Sequence, residues 1–320
     1  MADGSPKFTV GVGTHFRPDR LAALFESLYR QAHHPDELIV IHSNDDATVD
    51  VLQEHEGRFE ERGIDFRRAR KDPDTELVQE IRNRIIALAN GDVICFLDDD
   101  TVCLPNWFES IRQAYEENPD VVAVGGPAIK SDAELEPYDE LDDSSEPKNE
   151  ITVHGGVRDE SGRWVPPEPV VVDICRGANM SFRKSFLEDV GGFDTGYKGL
   201  GAFEEWDVMA KLNDGSLLYH PDAFVYHIEE TEGGTRKEQE SAWSGVYWYA
   251  RNSVRFRRNH ASKGFARSLA HLFFRGGSLP PIWLRFGKLL LGSRVQFHWL
   301  RGYFDGVLDR GGNGATPRET

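Results

Sequence analysis

Short apolar runs alternate with helical patterns over the first hundred residues, and this alternation is the feature that most constrains the fold. The β-prone runs occupy residues 7–12, 37–42 and 92–97, and residues 20–31 and 75–89 repeat apolar side chains at helical spacing. The last run is apolar after its first residue, Asp92, and leads directly into three aspartates. Strands that alternate with helices of this length form βαβ units. The sequence therefore predicts an α/β fold with a parallel sheet.

Polar side chains follow three of the predicted strands. They are Thr14, His15 and Arg17 after the first strand, residues 42–46 after the second, and Asp98-Asp99-Asp100 after the third. In open α/β sheets, ligands bind outside the carboxyl ends of the strands. Hard divalent cations prefer carboxylate oxygens, so the aspartates could hold a metal ion. The structural alternative is an acidic turn that caps a helix.

A second acidic group, Glu204-Glu205 with Asp207, follows a glycine-rich stretch that ends at Gly201. Acids in the first turn of a helix favour the helix dipole, which is a purely structural explanation. A carboxylate in a dry cleft could instead act as a general base, with the glycines allowing an acceptor to approach the backbone. His227 alone is more typical of a packed residue than of a ligand. Beside the aspartates, its imidazole could complete a Mn²⁺ or Mg²⁺ site.

The order of these motifs resembles that of the family 2 glycosyltransferases of the GT-A fold. The matching stretches are GTHFRPDRL, IRNRIIALANGD, FLDDDTVCLPNW, GANMSFRKSFLEDVGGFD, FEEWDVMAKL and HPDAFVYH. The resemblance covers roughly residues 7–230 and depends on the joint order, since each stretch alone is weakly specific. It implies a Rossmann-like, nucleotide-binding mixed sheet flanked by helices. It also implies transfer of a sugar from a nucleotide diphosphate to an acceptor hydroxyl.

The resemblance implies roles for individual residues. Asp98 and Asp100 match the DxD acids that hold Mg²⁺ or Mn²⁺. His227 matches a late histidine that contacts the metal or the diphosphate. Glu205 falls where the family usually has an aspartate base, so the base here is expected to be a glutamate, with Glu204 as the possible substitute.

The other candidates divide between the two substrates. The nucleotide-sugar side is expected to comprise Thr14, His15, Arg17, His42, Asp46, Arg82, Asn83, Asp98 and Asp99, and the acceptor side Gly201, Trp206 and Asp207. Arg82 and Asn83 match an RN pair of the family. His42 departs from the family pattern, which usually has an aspartate there, and Asp46 or Asp45 could take over its contact with the base.

These roles predict an inverting single displacement in which Glu205 takes the acceptor proton and a metal neutralises charge on the departing diphosphate. By resemblance, the expected acceptor is a polyprenyl- or dolichyl-phosphate-linked glycan for cell-surface glycoprotein or polysaccharide. A nucleotidyltransferase of related fold is one alternative, although GVGTHFRPDR lacks the lysine or G-K-[ST] ending that it needs. A catalytically inactive, membrane-associated scaffold is the other, supported only by His42.

Charge is distributed unevenly along the chain. The formal net charge is −17, yet residues 251–310 carry 12 basic and two acidic side chains, while residues 1–250 have a net charge of −27. The acidic body argues against nucleic acid as a partner. The excess of acids over lysines would suit a halophilic organism. The acidic stretch 131–169, with scattered proline and serine, is expected to be a flexible loop over the catalytic unit, which we expect at residues 1–240.

The C-terminal region, residues 241–310, interleaves aromatic with basic side chains, and residues 311–320 are expected to be a disordered tail. Helices with an aromatic face and a basic face lie on anionic membranes, so residues 243–304 predict peripheral membrane contact. The alternative is a helical cap on the catalytic core. No apolar run is long enough to span a bilayer, the N-terminus lacks a signal-peptide pattern, and three unpaired cysteines suit a reducing compartment. The expected location is cytoplasmic, on the inner face of the membrane.

Overall fold

The computed structural model describes residues 5–71, 77–199, 202–228, 242–275, 284–285 and 294–308. The helices are α1 (Pro18–Tyr29), α2 (Asp46–Glu60), α3 (Val78–Leu88), α4 (Trp107–Glu117), α5 (Lys184–Asp189), α6 (Glu204–Met209), α7 (Ala242–His260), α8 (Phe265–Phe274) and α9 (Arg294–Val307). The strands are β1 (Phe8–Thr14), β2 (Glu37–His42), β3 (Asp65–Arg70), β4 (Val93–Asp98), β5 (Thr101–Cys103), β6 (Ala123–Gly125), β7 (Ala128–Ser131), β8 (Glu150–Ile151), β9 (Val157–Arg158), β10 (Val170–Val171), β11 (Asn179–Arg183), β12 (Leu217–Tyr219) and β13 (Val225–Ile228).

An eight-stranded sheet in the order β10-β12-β6-β11-β4-β1-β2-β3 forms the centre of the fold. Strands β4, β1, β2 and β3 run parallel, whereas β11 lies antiparallel between β4 and β6. A three-stranded sheet, β5-β13-β7, stands beside the carboxyl end of β4, and β8 pairs with β9 in a hairpin. The predicted parallel βαβ half is confirmed, and β11 makes the sheet mixed, as the resemblance implies.

Strand β1 allows helix α3 to pack unusually close to the sheet. A Cβ atom on Gly11 would lie 2.5 Å from Ile85 Cγ2, and one on Gly13 would lie 2.9 Å from Ile81 Cγ2. Any larger residue at these positions would push α3 outward, since glycine in a strand permits close approach of a neighbouring element. This packing matters for the site because α3 also carries Arg82.

Apolar side chains fill both faces of the sheet. On one face, Phe25 and Phe59 from α1 and α2 pack edge to face, with ring centroids 5.1 Å apart. On the other face, Phe96 of β4 packs edge to face on Phe193 at 5.4 Å. Complete burial of such a side chain contributes about 1.5–3 kcal/mol. The two packed layers hold the strand ends in fixed positions.

The segment 131–169, expected to be a flexible loop, contains the hairpin β8-β9 and a fully buried tryptophan. The Trp164 indole N–H donates to the Ser144 carbonyl oxygen at 2.8 Å. Its ring stacks on Tyr219 at 4.9 Å. The segment therefore packs on the central sheet, because the tryptophan supplies the apolar burial that the acidic composition does not suggest.

The C-terminal helices α7, α8 and α9 pack together around Ala250, Val254 and Trp299. Helix α9 lies very close to α7, since a Cβ atom on Gly302 would be 2.1 Å from the Tyr247 carbonyl oxygen. Among the described helices, none is long and apolar enough to cross a membrane. The predicted domain boundaries stay predictions, and the tail 311–320 lies outside the described residues.

Candidate active site

The two acidic groups face one cavity of about 490 Å³ at the carboxyl end of the parallel strands. Residues 98–100 border it from the end of β4, and Glu204 and Glu205 border it from the start of α6. Arg82 of α3 and His227 of β13 complete its polar wall. Residues about a hundred positions apart in the sequence therefore border the same cavity.

Asp98, Asp100 and His227 form a group that could hold a metal ion, with one ligand atom from each within 4.8 Å of the others. His227 Nε2 lies 3.1 Å from Asp100 Oδ1. Ligands on an octahedral Mg²⁺ with bonds of about 2.1 Å are separated by about 3 Å at right angles and about 4.2 Å across the ion. Two carboxylates and an imidazole therefore fit Mg²⁺ or Mn²⁺ in ligand type, and the 3.1 Å separation of His227 and Asp100 matches that of two neighbouring ligands.

Arg17 brings a positive charge to the aspartates. Its Nη1 donates to Asp99 Oδ1 at 3.2 Å and also to Asp100. Burial, and then the negative charge of Asp100, raises the pKa of Asp99 to about 7. Burial acts to raise the pKa of Asp100, but the hydrogen bond and charge of His227, together with the charge of Arg17 and a backbone hydrogen bond, lower it overall. Asp100 is accordingly an anion at neutral pH, as a metal ligand must be.

Arg82 lies between the two acidic groups. Its Nη1 donates to Glu204 Oε1 at 2.9 Å, and its Nη2 lies 3.8 Å from Asp98 Oδ1. Nη2 also donates to the Gly177 carbonyl oxygen at 3.2 Å. A buried cation here lowers the repulsion between carboxylates that would otherwise face each other across the cavity.

Glu204 and Glu205 are a coupled pair of carboxyl groups. Burial, and then the charge of Glu205, raises the pKa of Glu204 well above its ordinary value. Burial also raises the pKa of Glu205, against the opposing charge of Arg82. Glu204 and Glu205 each have a buried Oε2 without a hydrogen-bond partner, but Oε1 of Glu204 accepts from Arg82. Glu205 is therefore the carboxyl group better able to accept a proton from a bound hydroxyl.

Backbone strain occurs on both sides of the cavity. Phe203, directly before α6, has φ of 85°, and Phe16, between His15 and Arg17, has φ of 54°. The left-handed region costs a non-glycine residue about 1–3 kcal/mol, and such strain collects at functional sites. The strained residues aim the polar side chains that follow them.

Most of the residues predicted from the sequence line this cavity. These are Thr14, His15, Arg17, Arg82, Asp98, Asp99, Asp100, Glu204, Glu205, Trp206 and His227. Gly201 lies outside the described residues. The motifs at the strand ends and at the start of α6 are thus brought together.

Three nucleotide-side candidates do not border the cavity. Asn83 joins α3 to Phe193, donating to its carbonyl oxygen and accepting from its N–H, both at 2.8 Å. His42 Nδ1 lies 2.7 Å from the Ser43 carbonyl oxygen, and burial lowers the pKa of this histidine. Asp46 is exposed in the first turn of α2. In this structure all three have local structural roles.

Asp207, expected on the acceptor side, points away from the cavity. Its Oδ1 accepts a hydrogen bond from the Tyr197 hydroxyl at 2.9 Å and lies 2.7 Å from His260 Nε2. Lys211 Nζ is 2.8 Å from its Oδ2. Asp207 therefore connects α6 to the end of α7 rather than to the site.

Three charged residues that border the cavity were not predicted from the sequence: Lys130, Asp159 and Arg176. Asp159 Oδ2 accepts from Arg176 Nε and Nη2, both at 3.2 Å. Arg176 directly precedes the family-like GANMS stretch, which was a usable signal. Asp159 lies in the acidic segment 131–169, where nothing in the sequence distinguishes it from its neighbours.

Comparisons with known proteins give matches in sequence and in fold. The sequence model described as Glycosyl transferase family 2 matches residues 9–190. A curated relative is the glucosyl-dolichyl phosphate glucuronosyltransferase of Haloferax volcanii, 28% identical over 194 residues, which are 57% of this chain and 54% of the relative. The chain thus matches about half the length of that relative.

Two solved structures resemble the chain in fold. Staphylococcus aureus TarS 1–349 in complex with UDP-GlcNAc has a TM-score of 0.61 and 16% identity, covering 94% of this chain and 81% of TarS. GalNAc-T7 with UDP, GalNAc and Mn²⁺ has a TM-score of 0.62 and 16% identity, covering 87% of this chain and 59% of GalNAc-T7. These likenesses confirm the predicted GT-A fold.

Proposed function

The chain belongs to glycosyl transferase family 2, and from that premise we propose that it transfers one sugar from a nucleotide diphosphate to an acceptor hydroxyl. One observation carries the proposal: the group of Asp98, Asp100 and His227 and the carboxyl group of Glu205 face the same cavity. The leaving diphosphate needs a cation to neutralise its charge, and the attacking hydroxyl needs a base to take its proton. The family assignment favours this function over the nucleotidyltransferase alternative.

The nucleotide diphosphate would bind at the strand ends. Asp98, Asp100 and His227 would hold Mg²⁺ or Mn²⁺, which supplies Lewis acidity for the charge of the leaving diphosphate. Arg17, held by Asp99 and Asp100, adds a fixed positive charge on the same side. Of the nucleotide-side residues expected from the sequence, Thr14, His15 and Arg82 also border the cavity. The two solved structures of similar fold contain UDP-GlcNAc in one case and UDP, GalNAc and Mn²⁺ in the other.

Glu205 would act as the general base of an inverting single displacement. The acceptor hydroxyl gives its proton to Glu205 and attacks the anomeric carbon from the face opposite the nucleotide. Burial raises the pKa of Glu205, which strengthens it as a base. Glu204 would assist by holding Arg82 and sharing the proton of the pair.

The proposed acceptor is a glycan linked to polyprenyl or dolichyl phosphate. The support is the name of the archaeal relative, which uses a glucosyl-dolichyl phosphate acceptor and transfers a glucuronosyl group. Lys130 and the Asp159–Arg176 pair border the cavity beyond the predicted motifs and would contact the sugar or the acceptor.

A panel of nucleotide sugars tests the function. Purified protein is incubated with UDP- and GDP-linked sugars, a uronic acid among them, with Mn²⁺ or with EDTA, and release of the nucleotide diphosphate is followed. We expect turnover with one donor class, dependent on the metal. The matched control is Asp100→Asn, which should bind no metal and lose turnover. Equal release with EDTA would contradict the metal-dependent mechanism, and no release with any donor would favour the inactive scaffold.

We propose that α8 and α9 contact an anionic membrane. An exposed row on α9, termed the outer stripe, consists of Phe297, Arg301, Phe304 and Leu308, at intervals of four, three and four residues. This spacing puts all four on one helix face. In the described part of 261–308, the exposed charged side chains, Lys263, Arg267, Arg275 and Arg301, are all basic. An aromatic row with basic neighbours fits an anionic lipid surface. A cytoplasmic location stays a prediction.

Vesicle sedimentation tests this contact. The chain should bind vesicles rich in phosphatidylglycerol, bind phosphatidylcholine vesicles weakly, and lose affinity at high salt. The double variant Phe297→Ser/Phe304→Ser should weaken binding at least about 10-fold, because two apolar side chains leave the lipid. Tyr138→Ser, which removes an equally exposed aromatic group from the acidic segment 131–169, is the control. Unchanged binding by the double variant, or self-association through the outer stripe in sedimentation velocity, would contradict the proposal.

A further inference from the structure

Asn252 of helix α7 holds the loop that leads into α6. The side chain is completely buried. Its Nδ2 donates to the Lys198 carbonyl oxygen at 2.9 Å and to the Ala202 carbonyl oxygen at 3.2 Å. Its Oδ1 lies 3.5 Å from the Lys198 backbone nitrogen, which donates to it. One amide thus fixes two points that are four residues apart, on both sides of Gly199, whose φ is 74°.

Two arginines on the same part of α7 hold the loop further upstream. Arg251 Nη1 donates to the Gly196 carbonyl oxygen at 3.0 Å. Arg255 donates from Nε at 3.0 Å and from Nη2 at 2.7 Å to Asp194 Oδ2. The guanidinium lies so near the loop that a Cβ atom on Gly196 would be 2.5 Å from its Nη2. A larger residue at position 196 would displace this guanidinium.

The same helix also contacts α6 and the residue before it. Phe256, completely buried, packs on Phe203 with ring centroids 5.6 Å apart. Near the end of α7, His260 Nε2 lies 2.7 Å from Asp207 Oδ1. Helix α7 thus contacts residues on both sides of the two glutamates that face the cavity: Asp194 to Lys198 and Ala202–Phe203 before them, and Asp207 after them.

We propose that Asn252 and Arg255 are positioning residues that hold the Glu204–Glu205 pair in its reactive place, so that the C-terminal region is a working part of the active site. This inference rests on the proposed function. Two features oppose the observed position of the pair: Phe203 is in the left-handed region, and two carboxyl groups lie next to each other at one cavity. A loop under such forces needs external contacts to stay in place. A displacement of about 1 Å at a reacting group can cost on the order of 100-fold in rate.

Turnover and nucleotide binding are measured separately in the full chain. The test variants are Asn252→Ala, which removes the loop contacts, and Arg255→Gln, whose partly exposed side chain can change without loss of the fold. The control is Arg258→Ala, since Arg258 Nη2 donates to the Gly306 and Val307 carbonyl oxygens and so holds α9. Binding of UDP and of GDP with Mn²⁺ is measured by calorimetry, and turnover with the active donor of the panel.

We expect both test variants to lower kcat by on the order of 10- to 100-fold, with nucleotide affinity within about 2-fold of wild type. Arg258→Ala should keep kcat even though its thermal midpoint falls. Wild-type kcat in Arg255→Gln would overturn the inference, and so would a parallel loss of kcat and nucleotide affinity in all three variants. If the wild-type chain turns over no donor, the proposed function fails and the inference fails with it. This result differs from a failure of the inference alone, in which wild type is active and Arg255→Gln is equally active.

Discussion

Replacing Glu205 with glutamine tests the assignment of the base. The substitution keeps the shape of the side chain and removes its ability to accept a proton. General-base catalysis contributes about 10²- to 10⁴-fold, which corresponds to about 2.7–5.4 kcal/mol of transition-state stabilisation. Glu205 Oε2 has no hydrogen-bond partner, and a glutamine side chain can still hydrogen-bond to Glu204. We expect transfer to fall by this factor while nucleotide affinity with Mn²⁺ stays unchanged.

The same variant should be more stable than wild type at high pH. Burial raises the pKa of Glu205, so its contribution to stability is present below the pKa of the unfolded chain and is lost as pH rises through the folded-state pKa. Glutamine has no such loss. The free energy of unfolding should therefore increase in Glu205→Gln at pH 8, by about 1.4 kcal/mol for each unit by which the pKa is raised. The gain should disappear near pH 4.

The assay combines steady-state transfer with urea unfolding at both pH values. Glu204→Gln is the matched control, since its amide oxygen can still accept the hydrogen bond from Arg82. This control should lose less than about 10-fold in turnover, a smaller effect than loss of the base. Full turnover in Glu205→Gln would refute the assignment. A larger loss in Glu204→Gln than in Glu205→Gln would show that the base is Glu204.

Three further substitutions test other parts of the account. Asp100→Asn should abolish the Mn²⁺-dependent stabilisation by nucleotide against thermal unfolding. In wild type this stabilisation amounts to about 2.7 kcal/mol at a nucleotide concentration of 100 times Kd. An unchanged stabilisation in the variant would exclude Asp100 as a metal ligand. Asp207→Asn should lower the free energy of unfolding at pH 7 by about 3–5 kcal/mol, because His260 and Lys211 lose their buried partner, with little change in nucleotide affinity. Its pKa is lowered, so this difference should shrink as pH falls. Gly11→Ala should destabilise the chain by about 1–3 kcal/mol in urea unfolding, by displacing Ile85; wild-type stability would mean that α3 can move.

The general position of the site followed from topology that could be deduced from the sequence. Parallel strands have their carboxyl ends at one edge of the sheet, so Thr14 and Asp98 were expected to lie together before any distance was known. Strand β4 was recognisable because it is apolar until its aspartates. That Glu205 and His227 lie near these residues was deduced from the order of the motifs along the chain, and not from the local sequence around either residue.

The direction of individual side chains could not be predicted in this way. Arg82 and Asn83 are neighbours on α3, yet they point about 100° apart, so one borders the cavity and the other holds Phe193. Glu205 and Asp207 differ by about 200° on α6 in the same manner. The rotation of each helix about its own axis decides which side chains face the cavity. It is set by packing on elements that are distant in sequence, as in the contact of Gly11 with Ile85, so the local sequence does not determine it.

Long-range partners were also beyond a single-sequence prediction. Asp159 reaches the cavity only because Trp164 anchors the surrounding segment against Tyr219. Asn252 contacts Lys198 and Ala202 across about fifty positions of sequence. Side chains of this kind are ordinary in composition, and their roles depend on three-dimensional contacts alone.

A crystal structure with Mn²⁺ and an unreactive analogue of the nucleotide sugar would test the central claim most directly. Anomalous scattering locates the ion independently of any assumption about its ligands. The account predicts one strong peak within about 2.0–2.3 Å of oxygen atoms of Asp98 and Asp100 and of a ring nitrogen of His227. It also predicts that the anomeric carbon lies between that ion and Glu205. An ion bound elsewhere, or a sugar turned away from Glu205, would contradict it.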